Sequence, residues 1–271
     1  MNPLHLLTLE WKRFAPNATI RIVVALYLVV FGLVTYAARL IGNTLAMTPA
    51  DYLFVPPVLW EFIAYAGSWL NFSLLGLCGV FLITTDWTHR TLRQSVIFGM
   101  KRGEVASAKI VSAITLALAA TGTYLVVCIV AAWLINTPAD AAPVNLWGAL
   151  HAAAPFFLQA LGCVLLGLLF GAFIRQTALA TLAYLAYIFV LESLLRWIVL
   201  LTVVKTRALL YLPDSLFESL TPFPVPALAD RVGRAYQIIA PLQGNEILLG
   251  SAVWIVLAAL IIHWKIRCAD L

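Results

Sequence analysis

Glu192 and Arg196 stand four residues apart in an aliphatic run, a spacing that puts both side chains on one face of a helix and permits an ion pair there. An ionisable residue in such surroundings is costly to keep, so it is expected either to be paired or to face a pathway for something polar. Asn71, Ser73 and Gln159 also lie inside apolar stretches, where they can line such a pathway or hold helices together by hydrogen bonds. Intramembrane hydrolysis or lipid transfer would need paired catalytic groups at one depth. The chain has no HExxH, EExxxR or GxSxG pattern, and Glu192 has no obvious histidine partner. Cys78, Cys128 and Cys163 fall in apolar runs as small hydrophobes, and with Cys268 they form no CxxC pair. His5, His89, His151 and His263 are scattered without ligand spacing, so no metal and no catalytic group are assigned.

The elements that carry these residues follow from composition. Of 271 residues, 63% are hydrophobic and 11% charged, and the mean hydropathy is +0.98. That is far from the roughly 25% charged residues of a globular protein and indicates an integral membrane protein. A spanning helix needs about 20 mainly apolar residues. Six runs reach or approach this, at Ile20 to Ile41, Phe62 to Thr84, Ala106 to Ile135, Ala149 to Ile174, Thr177 to Val204 and Glu246 to Trp264. They are continuous and do not alternate, so helices are expected rather than barrel strands. No stretch between them is long enough for a separate core, and residues 1–271 read as one all-α transmembrane domain. The first run is preceded by a polar, charged segment without a small-residue cleavage site, so a removed signal peptide is not expected.

Charge gives the orientation. With the N-terminus inside, the inner face receives Lys12, Arg13, Arg21, Arg90, Arg93, Lys101, Arg102, Lys109, Arg175, Lys265 and Arg267. The outer face receives Arg39, Arg196, Lys205, Arg207, Arg231 and Arg234, four of them in the long 205–245 connection, where charge counts little. Both termini are therefore expected in the cytoplasm. The formal net charge of +5 reads as contact with anionic lipid headgroups and not with nucleic acid, because the basic residues cluster at the ends of apolar runs. Within residues 1–16, Leu4, Leu7, Trp11 and Phe14 recur at helical steps before Pro16, which predicts an interfacial elbow helix. The prolines of 205–245, among them Pro213, Pro222, Pro224, Pro226 and Pro241, alternate with apolar residues and predict short external helices against the membrane.

The 85–109 stretch, TDWTHRTLRQSVIFGMKRGEVASAK, is a short basic connector between the second and third runs. Leu92, Val96, Ile97 and Met100 supply an apolar stripe for a helix along the membrane surface, with Arg90, Arg93, Gln94 and Lys101 projecting elsewhere. Gly99 and Gly103 are expected to bracket a turn, with the third span starting near Glu104, whose carboxylate suits a helix N-terminus. In the fourth run, Gly167-x-x-x-Gly171 permits close helix packing.

Asp86, Arg90, Thr91, Arg93, Gln94, Gly99, Lys101, Arg102 and Lys109 together resemble the cytoplasmic motif of ABC-2 type exporter permeases, and RQSVIFGMKR is similar to the form in permeases of Bacteroidetes-like bacteria. The chain departs at Asp86, where Glu is commoner, at Arg90, where Gly is frequent, and at Lys101, where Ser is usual. The six-span layout, the elbow and the long external connection also resemble that family. The resemblance implies that 85–103 is a coupling segment docked in a groove of a separate ABC ATPase subunit. It implies that ATP and magnesium bind on that partner and that a second permease copy or a sister permease completes the assembly. It implies a place in the bacterial inner membrane, with the second and fifth spans lining the route near the permease interface. The sequence agrees on the division of labour, since it contains no GxxxxGK[ST] phosphate loop. The other readings left open are a membrane anchor or subunit that uses ATPase-driven motion without transport, and an intramembrane enzyme.

Overall fold

The computed structural model describes residues 18–44, 58–89, 91–134, 147–195, 210–224 and 242–268. Six helices in it are long and apolar enough to cross a membrane. In chain order the helices are α1 (Ala18–Thr44), α2 (Val58–Thr88), the short α3 (Thr91–Ile97), α4 (Arg102–Leu134), α5 (Trp147–Ile174), α6 (Thr177–Leu195), the short α7 (Pro213–Leu220) and α8 (Gly244–Arg267). Among the described residues there is no strand. The expected elbow at 1–16 and the end of the fifth run, 196–204, lie outside the described residues.

α2 and α5 form the centre. About 72% and 67% of their apolar windows are buried, against 17–28% for the other four spans, so those four surround the central pair and leave apolar faces open to lipid. Small residues let the central helices touch backbone to backbone. A Cβ on Gly167 would lie 2.0 Å from the Gly76 carbonyl oxygen, and one on Gly79 would lie 2.2 Å from the Val164 oxygen. In lipid, where apolar burial does not drive helices together, contact this close is the main source of association. The Gly167-x-x-x-Gly171 face has this role, and Gly171 packs on Ile83 and Val80 of α2.

Several hydroxyls in the spans bond within their own helices, whereas those of Thr181 in α6 and Ser251 in α8 are buried without a hydrogen bond. Thr84, Thr85 and Thr88 donate to carbonyls one turn back, as do Ser112, Thr115 and Thr121 in α4. α2 continues to Thr88, beyond the expected end at Thr84, with the hydroxyls of its last turn satisfied in this way. α4 also begins earlier than its apolar run, at Arg102, because the Glu104 carboxylate accepts the Lys101 N–H at 2.9 Å and closes the first turn. Gly103 is therefore inside the helix and does not bracket the turn; of these two glycines it is Gly99, at φ +94°, that takes a conformation favouring glycine. A capping box of Gln243 and Glu246 starts α8, and Lys265 and Arg267 in its last turn answer the dipole at the other end.

Two spans contain a wider, π-type turn, Asn71–Leu75 in α2 and Tyr187–Leu191 in α6. Such turns interrupt the regular ladder. In α2 the Phe72 carbonyl accepts the Tyr184 hydroxyl of α6 at 2.7 Å, and a Cβ on Gly76 would collide with that hydroxyl, so glycine is what lets Tyr184 reach the backbone.

Candidate functional site

The connector is bound to the bundle through Asp86. Its carboxylate, near the end of α2, forms a buried ion pair with Lys109 of α4, whose side chain is 2% exposed. The other carboxylate oxygen accepts the Thr91 hydroxyl at 2.6 Å, at the first residue of α3. Three elements thus meet at one buried charge pair, and removing either charge costs more than replacing both. The pairing was not anticipated from sequence, because Asp86 and Lys109 sit on different helices and meet only where α2, α3 and α4 come together. The usable signal was two opposite charges at the ends of consecutive apolar runs.

From that anchor α3 runs for two turns. Leu92 is buried, Ser95 is buried with its hydroxyl on the Thr91 carbonyl, and Met100 packs on the core while its N–H returns to the Ser95 carbonyl. Ile97 departs from the expected stripe. It is 72% exposed and Phe98 is 86% exposed, because the helix stops at Ile97 and the turn through Gly99 carries both side chains away from the bundle. Arg93, Gln94 and Lys101 are exposed around them, so the tip of the connector is apolar at its centre and basic at its edge. Arg102 is exposed, and its guanidinium donates to the Arg267 carbonyl at 3.3 Å, tying the start of α4 to the end of α8. On the same end of the bundle the Arg175 guanidinium lies 4.5 Å from the centre of the Trp87 ring. Arg90 lies outside the described residues.

The intramembrane polar residues separate into two groups. Asn71, fully buried at the start of the π-type turn, accepts the Tyr27 hydroxyl at 3.0 Å and donates to the Gln159 amide oxygen at 3.4 Å, joining α1, α2 and α5. The Gln159 amide nitrogen is buried without a hydrogen bond. Ser73 bonds back to the Trp69 carbonyl.

Glu192 is fully buried near the end of α6, and its carboxylate is occupied by α7. It accepts the backbone N–H groups of Asp214 and Ser215 at 3.3 and 2.8 Å, the Ser215 hydroxyl at 2.9 Å and the Tyr187 hydroxyl at 2.8 Å. α7 starts with Pro213 and has no side-chain cap from its own N-cap residue, Leu212. Glu192 supplies that cap from another helix, where free N–H groups and the helix dipole both favour a carboxylate. Arg196, the expected partner, lies outside the described residues. α7 is fixed elsewhere by Phe217, which fills the space over Gly162 of α5, and by Leu216 against Gly250 of α8. α7 therefore packs into the bundle.

Among the described residues no group of three His, Cys, Asp or Glu side chains is placed to hold a metal ion. No protein-family model matches the chain, and no curated protein matches it.

Proposed function

We propose that the chain is the membrane permease subunit of an ATP-binding cassette exporter of the ABC-2 type, driven by a separate ATPase through the 85–103 segment. The observation that carries this reading is the buried junction of Asp86, Lys109 and Thr91, which fastens a short helix to two spans while leaving its tip exposed. A connector that served only as a charged loop would need no buried ion pair. A lever must be rigid at its base and free at its end, so that a push on the tip moves α2 and α4 as bodies. The central position of α2 makes such a push consequential, because α2 is in contact with α5 along its length through glycine.

In this reading ATP and magnesium are held by the partner ATPase, two permeases pair with two ATPases, and the assembly sits in a bacterial inner membrane with both termini in the cytoplasm. The exposed apolar side chains of Ile97 and Phe98, edged by Arg93 and Lys101, would dock into an ATPase groove that is apolar at its floor and acidic at its rim. The experiment is co-purification of ATPase subunits with the chain carrying Arg93→Glu and Phe98→Glu. Both residues are exposed, so folding is expected to be unchanged while ATPase recovery falls about tenfold, the effect of removing an apolar anchor and reversing a rim charge. Full recovery of the ATPase would reduce the connector to a topology signal.

A further inference from the structure

Among the described residues Arg175 is the one non-glycine residue at positive φ, +57°. It follows the last residue of α5, and its N–H bonds to the Gly171 carbonyl at 3.1 Å, a left-handed helix end of the kind at which glycine is usual. A Cβ there crowds the backbone, so the turn itself would be better served by glycine. The side chain supplies the reason for arginine. Its guanidinium lies 4.5 Å from the centre of the Trp87 ring, an attractive cation–π contact, and a residue held in a costly conformation in this way marks a functional constraint.

Trp87 is the neighbour of Asp86 at the end of α2, and the two side chains reach different elements. Asp86 holds Lys109 of α4 and Thr91 of α3, whereas Trp87 takes Arg175 from the turn between α5 and α6. That turn is only Arg175 and Gln176, with Gln176 extended at φ −112° and ψ 121°, so there is little slack between the turn and the start of α6. Further along α6, the Tyr184 hydroxyl bonds to the Phe72 carbonyl of α2, and Glu192 caps α7. Tyr184 alone would let α6 pivot on α2. A second hold at the end of α6 makes the two helices move together. We infer, on the role proposed above for the 85–103 segment, that Arg175 is a positioning residue: stacked on Trp87, it makes the α5–α6 turn follow the end of α2, so that a push on the connector also moves α6 and, through Glu192, α7.

The test uses the chain together with the ATPase subunits that co-purify with it, with Cys268→Ser and a pair of spin labels at Val29 of α1 and either Gln94 of α3 or Ala178 of α6, all three exposed. The distance within each pair is measured by pulsed EPR with magnesium and a non-hydrolysable ATP analogue present or absent. In the otherwise unchanged chain both distances should shift by about 2 Å on nucleotide binding, the scale of a packed helix displaced as a body. Arg175→Gly suits the left-handed turn and should melt no lower than the wild type, yet the shift at 178 should vanish while the shift at 94 stays. Trp87→Leu should give the same pattern, and Arg175→Lys, which keeps a cation for the ring, should retain the shift at 178. Lys265→Met is the comparison: it takes a cation from 4.6 Å above the Phe173 ring at the same end of the bundle and should leave both shifts intact. A shift at 178 that survives Arg175→Gly or Trp87→Leu, that is lost in Lys265→Met, or that is absent from the wild type would overturn the role of Arg175 alone, as would loss of both shifts in Arg175→Gly. Failure to recover an ATPase, or no shift at 94 in the wild type, would refute the connector as a coupling segment and the role of Arg175 with it.

Discussion

Replacing Lys109 with Met should unfasten the connector. The substitution keeps an unbranched chain of similar length and removes the cation, leaving the Asp86 carboxylate, in a side chain only 9% exposed, with the Thr91 hydroxyl as its remaining bond among those described. Breaking a buried pair by deleting one partner costs about 3–5 kcal/mol. For a chain of this size that corresponds to a fall of roughly 6–20 °C in Tm. Asp86→Leu combined with Lys109→Met removes both charges and should recover most of the loss. A deficit of about 1 kcal/mol should remain, because Thr91 still lacks its acceptor. The molecule contains its own reporter, since Cys78, Cys128 and Cys163 are buried and unpaired, and a thiol-reactive dye follows their exposure on heating once exposed Cys268 is changed to Ser. If Lys109→Met melts with the wild type, or if the double variant is no more stable than the single, the buried pair does not hold this junction.

Gly167→Ala should separate α2 from α5, because its Cβ would lie 2.0 Å from a backbone oxygen that cannot move aside; a loss of about 1–3 kcal/mol is expected in the same melting assay. Glu192→Gln should cost about 1–3 kcal/mol by setting an amide donor against the donors of α7, and Glu192→Leu with Arg196→Leu should not restore stability, since the Asp214 and Ser215 N–H groups stay buried without an acceptor. Recovery in that double variant would make Arg196 the dominant partner.

The six spans were legible because lipid imposes one strong rule, a long run of apolar residues per helix, and each expected run falls on a helix as far as its residues are described. Their ends were less legible. Thr88 and Arg102 look like loop residues, yet Thr88 bonds within its own helix and Glu104 caps the start of the next, so polar residues extend α2 and α4 past their apolar windows. The connector's residues could be named from their pattern, but the fastening of Asp86 to Lys109 and the outward placement of Ile97 depend on how α2, α3 and α4 meet, which spacing along one chain does not encode. Glu192 shows the same limit. Its i+4 neighbour was the partner visible in sequence, whereas α7 supplies two backbone donors from a distant segment. The π-type turns at Asn71 and Tyr187 had no local signal in the apolar runs that contain them.

The most direct test of the central claim places a photo-crosslinking amino acid at Phe98, the most exposed aromatic of the connector, in the chain expressed in its native membrane. The same group at Phe189, exposed midway along α6, is the control within a span. The account predicts that position 98 captures a polypeptide identified by mass spectrometry as an ABC ATPase, with a phosphate loop of its own, and that position 189 does not. Adducts at 98 with lipid alone, or with a protein that lacks a nucleotide-binding domain, would contradict it.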